Sequence, residues 1–237
     1  MLAAKAALRE EVWAAMRAAK VARFPGAEHR IPNFVGAERA AELLRGTDEW
    51  SGAATVKANP DSPQLPVRQR ALEDGKTVFM AVPRLADERP FFLLDPTQLT
   101  VPPRKAASIT GAAKHGRLLD VDELAPVDLA VVGCVAVSTD GARLGKGGGF
   151  SNLEYAIAWE AGLITERTVV VTTVSEVQVV DDGRIPRVDH DFGLDLIATP
   201  ERVIRCRTSK RAAKLRWDEL TEEKIAAIPL LGALRRG

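Results

Sequence analysis

The chain has 237 residues, 46% of them hydrophobic and 27% charged, and its formal net charge is +1. This length is enough to bury one large hydrophobic core or two small ones. Because acidic and basic side chains nearly cancel, no overall charge directs the chain toward nucleic acid or an anionic membrane.

The apolar segments and the cysteines predict a cytoplasmic protein. The longest apolar run, 129–137, is too short to cross a bilayer. Charged side chains interrupt the alanine-rich N-terminus, unlike the apolar segment of a signal peptide. Cys134 and Cys206 lack CxxC spacing, so we expect both to serve packing in a protein from a reducing compartment.

The first half of the chain predicts alternating helices and strands. Leu8, Val12 and Met16 recur at four-residue steps along an alanine-rich helix, and Gly75 is expected to end a later one. The predicted elements are helices over 2–22, 36–45 and 66–74, strands over 52–57 and 77–82, and a loop over 58–63. The proline-rich segment 86–104 has no clear period and predicts an excursion on the surface.

The second half contains the clearest buried strand, 128–138, which is apolar nearly throughout, as central parallel strands are. The remaining predicted elements are a helix over about 151–162, strands over 168–174 and 203–206, and residues 177–180, which continue the earlier strand or form a new one. Alternating strands and helices predict an α/β fold with a mostly parallel central sheet and flanking helices.

We expect one domain over 1–208 and a basic helical tail over 209–237, which packs on the domain or extends from it. The tail's expected anchors are Trp217, Ile225, Ile228, Leu230 and Leu231.

A glycine-rich loop lies between the long apolar segment and the following helix. It contains Arg143, Gly145, Lys146, Gly147, Gly148 and Gly149. Glycines allow positive φ and close approach of a ligand, and a helix that begins behind them directs unpaired N–H groups and a positive dipole end toward the same place. Flanking cations complement an anion there. The loop predicts a phosphate site, with a plain tight turn as the alternative.

Three other polar groups each have two interpretations. Lys5 and Arg9 share one helix face, where they bind an anion or form a solvated stripe. Asp191, in the segment 190–195 that begins with His190, ligates Mg²⁺ or caps a turn. Residues 175–178 lie at a site on the carboxyl edge of the sheet or at a solvated edge.

In this order the segments resemble the 5-formyltetrahydrofolate cyclo-ligase (methenyltetrahydrofolate synthetase) family. The matching motifs are K-x-x-x-R at Lys5 and Arg9, Gly-Lys and then Pro-Arg from Gly75 to Arg84, R-[LI]-G-x-G-x-G-[YF] from Arg143 to Phe150, and the late Gln178, Asp191 and Asp195. The subgroup of methenyltetrahydrofolate synthetase domain-containing proteins is the most similar, by NPD-PQ at 59–64, PRL at 83–85 and GKG-G with LEYA at 145–156. The resemblance spans roughly residues 5–206.

The resemblance implies a cyclo-ligase-like α/β fold (NagB/RpiA/CoA transferase-like) and a ligase that depends on ATP and Mg²⁺. ATP would phosphorylate the formyl oxygen of 5-formyltetrahydrofolate, and N10 would attack the activated carbon. Loss of phosphate would leave 5,10-methenyltetrahydrofolate and ADP. Such a reaction needs cations and N–H donors around the spreading negative charge.

The family's pattern also implies site residues. ATP would contact Lys5, Arg9, Arg143, Gly145, Lys146, Gly147, Gly148 and Gly149, with Arg143 and Lys146 acting in catalysis. The folate-type substrate would contact Asp61, Gln64, Pro83, Arg84, Phe150 and Gln178. Asp191 would hold Mg²⁺, and Asn152 stands at the position of another Mg²⁺ ligand of the family. Glu154 is a further candidate ligand because it is near Asn152 in sequence, not because the family's pattern has it. We expect a monomer or homodimer with a small-molecule partner and neither membrane nor nucleic acid.

Three residues depart from the pattern. Ser151 and Asn152 stand where classical cyclo-ligases have Tyr and Asp. The neutral amide of Asn152 therefore replaces the charged carboxylate of a Mg²⁺ ligand. Ser175 stands where the subgroup usually has His. These departures leave two alternatives: a non-catalytic folate- or nucleotide-binding paralogue, and the same fold acting on another pterin-like or heterocyclic substrate. A role with nucleic acid would rest on basic residues near the C-terminus, namely Arg202, Arg205, Arg207, Lys210, Arg211, Lys214 and Arg216.

Overall fold

The computed structural model describes residues 1–188, 191–207 and 215–236. Its α-helices are α1 (Leu2–Ala18), α2 (Ala37–Arg45), α3 (Asp48–Ser51), α4 (Leu65–Glu73), α5 (Pro103–Ala106), α6 (Ile109–His115), α7 (Phe150–Glu160), α8 (Glu222–Ala227) and α9 (Pro229–Arg236). Its strands are β1 (Thr55–Ala58), β2 (Thr77–Ala81), β3 (Phe91–Leu94), β4 (Arg117–Leu119), β5 (Leu129–Val131), β6 (Ala136–Ser138), β7 (Arg143–Leu144), β8 (Val169–Thr173), β9 (Val179–Val180), β10 (Leu196–Ala198) and β11 (Val203–Arg205).

Eight strands form the central sheet, in the order β11-β10-β8-β5-β1-β2-β3-β4. The five strands from β10 to β2 are parallel, whereas β11, β3 and β4 are antiparallel to their neighbours at the two edges. In this register Val56 of β1 lies opposite Val78 on one side and Leu129 on the other. The predicted α/β class with a mostly parallel central sheet is therefore confirmed.

Helices cover both faces of this sheet. Successive side chains of each strand point to opposite faces, so a single strand contributes apolar side chains to the packing on both. Leu129 and Val131 of β5 belong to the same buried cluster as the apolar residues of α2 and α4. Ala130, between them, belongs to the cluster that contains α7 and the C-terminal helices. A third cluster packs α1 against a small sheet of order β7-β6-β9. None of the described helices is long and apolar enough to span a membrane.

The long apolar segment forms two strands, and the prediction of one strand over 128–138 was wrong. β5 lies in the central sheet and β6 in the small one, with a bend at Val135 in the connection that contains Gly133. A Cβ at Gly133 would lie 2.9 Å from Asp61 Oδ2 and 3.0 Å from Ile31, so a larger side chain would collide with both. The hydrophobic pattern predicted burial correctly, but it could not show that the chain passes from one sheet to another.

Two further predictions need correction, and one strand was not predicted. The first helix ends at Ala18 and does not reach residue 22, because Lys20 takes a φ of +55° and Ala22 then bridges Phe34 in an antiparallel pair. The segment 86–104 is not merely an excursion on the surface, since it contains the buried strand β3 and the first two residues of the short helix α5. The segment 185–199 contains strand β10, which no alternation in the sequence had indicated.

The described C-terminal residues pack on the body of the protein. Leu215, Ile225, Ile228, Leu230 and Leu231 are buried in the cluster that contains α7, as the sequence predicts for four of them. Trp217 was predicted to be an anchor, but 37% of its surface is exposed. The boundary at residue 208 stays a prediction, since residues 208–214 lie outside the described ranges.

Candidate functional site

The glycine loop connects β7 to α7, and two of its glycines have a conformation that favours glycine. Gly147 has a φ of +106°, and Gly149, the N-cap of α7, has a φ of +69°. A Cβ at Gly147 would lie 3.3 Å from Arg9 Cζ, and one at Gly149 would lie 2.7 Å from Lys224 Nζ. The bare backbone of the loop therefore lies directly against two cationic side chains, and the first N–H groups of α7 open onto the same region.

Helix α1 brings Lys5 and Arg9 to this loop. Arg9 donates a 2.7 Å hydrogen bond from Nε to the carbonyl oxygen of Gly145, and burial lowers the pKa of its guanidinium. Lys5 is buried and forms a 2.6 Å ion pair with Asp191 Oδ2. The two side chains therefore do not form a solvated stripe, although their role as ATP contacts stays a prediction.

Asp191 is the acidic centre of a hydrogen-bonded chain. It accepts from Lys5, from the Val188 N–H at 3.0 Å and from Asn152 Nδ2 at 2.8 Å. Burial raises the pKa of the Asp191 carboxyl, but the hydrogen bonds, that of Lys5 first, outweigh burial and hold the pKa below its usual range. Asn152 Oδ1 in turn accepts a 2.7 Å hydrogen bond from Arg143. We call Lys5, Asp191, Asn152 and Arg143 the loop network.

Arg143 is held rigidly at the end of this network. Its guanidinium donates to Ser151 Oγ at 3.0 Å and lies 4.4 Å from the ring centroid of Phe192. Phe192 stacks on Tyr155 of α7, with ring centroids 3.8 Å apart. The buried Nε of Arg143 has no hydrogen-bond partner. The guanidinium is thus fixed beside the first turn of α7 while retaining an unused donor.

The loop also faces the segment that follows β1. Lys146 Nζ lies 3.9 Å from Asp61 Oδ1, and burial raises the pKa of the Asp61 carboxyl. Gln64, one helical turn further on, is fully buried, yet neither its amide nitrogen nor its amide oxygen has a hydrogen-bond partner. Buried amides in folded proteins nearly always have partners, so the side chain of Gln64 suits a ligand or a water molecule.

A second polar cluster lies deeper, where β1 meets α7. Glu154 accepts from Lys57 and from Asn59 Nδ2, at 3.0 and 3.1 Å in the latter case. Arg68 is fully buried and donates to the backbone carbonyls of Asn59, Asp61 and other residues. We call Lys57, Glu154, Asn59 and Arg68 the core network.

Burial raises the pKa of the Glu154 carboxyl and lowers that of the Arg68 guanidinium to about 10. The oxygens of Glu154 are engaged with Lys57 and Asn59, on a different side of α7 from Asn152, so its role as a metal ligand stays a prediction that the geometry does not favour. The sequence analysis missed Lys57 and Arg68, although a lysine inside the apolar strand TVKA was a usable signal.

The other residues that were predicted to contact the substrate are Pro83, Arg84, Phe150 and Gln178, and the structure describes the side chains of two of them. Pro83 begins a short turn of helix that lies against α7. The side chains of Arg84 and Phe150 are outside the described part of the structure, as is His190. Gln178 is buried and its amide donates to the carbonyls of Cys134 and Val135 at 3.0 Å, so it bridges the bend between β5 and β6.

Within the described ranges, no group of three or more His, Cys, Asp and Glu side chains could hold a metal ion. Mg²⁺ in phosphoryl-transfer sites typically takes only one or two protein carboxylates and completes its shell with phosphate oxygens and water. The carboxylate of Asp191 fits that requirement. The amide oxygen of Asn152 is directed to Arg143, so it is not presented beside Asp191.

The basic residues near the C-terminus have carboxylate partners where they are described. The ion pairs are Arg202 with Glu176, Arg205 with Glu49, Arg207 with Asp182 and Arg216 with Asp218. Lys210, Arg211 and Lys214 lie outside the described ranges.

Comparison with known proteins gives concordant matches. A model described as the 5-formyltetrahydrofolate cyclo-ligase family matches residues 1–200. The methenyltetrahydrofolate synthase domain-containing protein of Bos taurus is 39% identical over 238 residues, 96% of this chain and 61% of the relative. That of Mus musculus is 38% identical over 240 residues, 98% of this chain and 63% of the relative. The chain thus spans about three fifths of the length of these relatives.

A solved structure supports the fold. The NMR structure of Aquifex aeolicus 5,10-methenyltetrahydrofolate synthetase aligns with a TM-score of 0.55 and 19% identity, and the alignment covers 93% of this chain and 100% of that protein. At this identity the likeness establishes the architecture alone. The expected fold is confirmed.

Proposed function

The chain belongs to the 5-formyltetrahydrofolate cyclo-ligase family, and from that premise we propose that it converts 5-formyltetrahydrofolate to 5,10-methenyltetrahydrofolate with consumption of ATP. The observation that carries this proposal is the convergence of cationic side chains from three parts of the chain on one glycine loop. Arg9 reaches the loop from α1, Arg143 from β7, and Lys146 lies within it. With both cysteines free, the protein fits a reducing cytoplasm.

The loop fits the triphosphate of ATP. Glycines with positive φ expose backbone N–H groups, and the N-terminus of α7 adds a positive dipole end. Arg9 and Lys146 would bind phosphate oxygens. Arg143, fixed by Ser151 and Phe192, would stabilise the charge that spreads over the phosphoryl group during its transfer. Rigid placement matters because a preoriented cation needs no reorganisation in the transition state.

Asp191 would hold Mg²⁺, which when bound neutralises charge on the phosphates. In the structure the carboxylate of Asp191 is paired with Lys5, so binding of a Mg–ATP complex requires the pair to separate or to be shared with phosphate oxygens. Lys5 would then move from Asp191 to a phosphate. The loop network is therefore an arrangement in which a ligand can replace the internal ion pair.

The segment after β1 fits the heterocycle of a folate. Gln64 offers an unused donor and an unused acceptor in a fully buried position. Asp61 has a carboxyl whose pKa is raised by burial, so it more readily carries a proton for a hydrogen bond. A flat ring with alternating donors and acceptors would satisfy both groups. Pro83, whose helical turn contacts α7, is a further proposed contact of the ring.

The decisive assay follows the absorbance of methenyltetrahydrofolate after 5-formyltetrahydrofolate, ATP and MgCl₂ are mixed with the protein. We expect a rise that requires all three additions. Arg143→Met should slow it by about a hundredfold or more, because it removes a cation at the developing charge. Arg167→Met, which removes an exposed arginine remote from the loop network, is the matched control and should leave the rate unchanged. If the absorbance does not rise with wild-type protein, the proposal is refuted. ATP consumption with a different pterin would show that this pterin is the substrate instead.

One observation favours a second candidate, a paralogue that binds folate or nucleotide without turnover. Asn152 donates to Asp191 and accepts from Arg143, so the carboxylate of Asp191 and both ends of the Asn152 amide have partners without a metal ion. An aspartate at that position could not donate to Asp191. Calorimetry distinguishes the two candidates: tight binding of both ligands without product supports the paralogue, and multiple turnovers exclude it.

A further inference from the structure

The described C-terminal helices lie beside the glycine loop, although they fall outside the part of the chain that the family model matches. Ile225 and Leu231 are buried in the same cluster as Leu153 and Ile157 of α7. Leu215, the first described residue before them, is also held on α7, since its N–H donates a 2.9 Å hydrogen bond to Glu160 at the end of that helix. The helix that begins at the loop is thus covered by the C-terminal pair.

This packing places one lysine over the last glycines of the loop. Lys224 Nζ lies 3.4 Å from the carbonyl oxygen of Gly148, and a Cβ at Gly149 would lie 2.7 Å from it. Thr221 caps α8 by accepting from the Lys224 N–H at 3.2 Å, which fixes the start of that helix. The neighbouring acidic side chain, Glu222, is directed to Arg235 at 2.8 Å.

We infer that Lys224 is an additional phosphate-binding residue, contributed by the C-terminal helices to the same loop that holds the nucleotide. The inference rests on the proposed function. Arg9 lies against Gly145 and Gly147, and Lys224 against Gly148 and Gly149, so the two cations cover successive parts of the loop. The ligand class is a nucleoside polyphosphate.

The chemistry of lysine suits this position. An ammonium group is a compact charge with three donors on a flexible stem. An anionic phosphate oxygen is a stronger acceptor for this ammonium group than the carbonyl oxygen of Gly148, which lies 3.4 Å from it. Lys224 Nζ also lies beside Gly149, the N-cap of α7, where such an oxygen would bind.

Isothermal titration calorimetry on the full chain with ATP and with AMP tests the inference. Lys224→Met should weaken ATP binding about tenfold, the usual effect of losing a charge-assisted hydrogen bond. AMP, which lacks the terminal phosphates, should be affected much less. Lys224→Arg should retain most of the affinity, and Lys114→Met, which removes an exposed lysine in the last turn of α6, should retain all of it.

The outcomes separate the inference from its premise. If wild-type protein binds ATP and Lys224→Met binds it equally well, the inference is overturned alone. If wild-type protein does not bind ATP, the proposed function fails and the inference fails with it. Should Lys224→Met lose its circular dichroism signal, Lys224→Gln, which keeps a polar side chain of similar shape, is titrated under the same criteria.

Discussion

Two polar networks meet helix α7, and they differ in how much of their charge is committed to the protein itself. The core network joins Glu154 to Lys57 and Asn59 in the interior, where Lys57 and Glu154 are 1% and 6% exposed. The loop network joins Asn152, only two residues earlier, to Asp191 and Arg143 beside the glycine loop. Residues that are two positions apart on a helix project in different directions, so α7 supplies a side chain to each network.

The contrast between the two networks separates buried charges that indicate function from those that stabilise the fold. In the core network Lys57 is paired with Glu154, and Arg68 donates to backbone carbonyls, so loss of one of these charges should change stability. In the loop network the same residue types surround bare glycine backbone and Arg143 retains an unused donor, so a ligand can compete for them. A charge pair indicates a binding site when a ligand can reach it and replace one of its members. The degree of burial of the pair does not by itself indicate such a site.

The largest expected effect comes from opening the core network. Glu154→Ala leaves Lys57 as an unpaired charge in the interior, which should lower the free energy of unfolding by about 3–5 kcal/mol. Urea denaturation measures the loss. Glu166→Ala, at an exposed glutamate, is the control and should change stability by about 0.5 kcal/mol or less. A small effect of Glu154→Ala would remove the distinction between the two networks.

An intermediate effect is expected from charging the loop network. Asn152→Asp loses the donor to Asp191 and sets two carboxylates side by side, which should cost about 1–2 kcal/mol without Mg²⁺. Excess MgCl₂ should then raise the Tm of the variant by about 2–4 °C more than that of wild-type protein, because a cation between the carboxylates relieves their repulsion. Thermal melts with NaCl at matched ionic strength provide the control. Equal shifts for both proteins would show that Asp191 and residue 152 do not share a cation.

The smallest effects are pH-dependent and have opposite signs at two aspartates. The folded-state pKa of Asp191 is lowered from its usual 3.8, so its contribution to stability is present above that value and is lost as the pH falls through the folded pKa. The pKa of Asp61 is raised, so its contribution is present below 3.8 and is lost as the pH rises through the folded pKa. Asp191→Asn should therefore destabilise the protein at neutral pH, and Asp61→Asn should stabilise it.

Denaturation curves recorded between about pH 3 and pH 7 check these signs, since each variant should converge on wild-type stability toward acidic pH. A shift of the same sign for both variants at neutral pH would contradict the assigned environments. Asp191 would then not be held by Lys5, or Asp61 would not be desolvated beside Lys146.

The sequence predicted the sheet and the loop but little of the core network. Buried parallel strands carry continuous apolar runs, so β2 and β8 were found near their observed positions, whereas β5 was merged with β6 into one longer predicted strand. The passage from β5 to β6 was missed because its course depends on packing, including that of Gly133 against Asp61 and Ile31, which only tertiary structure determines. The family's motifs indicated Lys5 and Arg9, whose four-residue spacing alone allowed a solvated face.

Long-range pairing explains what could not be predicted. Glu154 was considered for Mg²⁺ from its nearness in sequence to the loop, whereas its partners Lys57 and Asn59 lie nearly a hundred residues away. Lys224 lies 76 residues beyond Gly148 and in a segment predicted only to be a basic helical tail. No local pattern relates such positions, because their proximity follows from the packing of α7 and α8 on the sheet.

The most direct test of the central claim is calorimetric titration of ATP into wild-type protein and into Lys5→Met. If the loop network is a phosphate site whose internal ion pair yields to a ligand, wild-type protein binds ATP and the variant binds it about tenfold more weakly. Binding of equal strength in the two proteins, or no binding by wild-type protein, would contradict the claim that the charges beside the glycine loop serve a nucleotide.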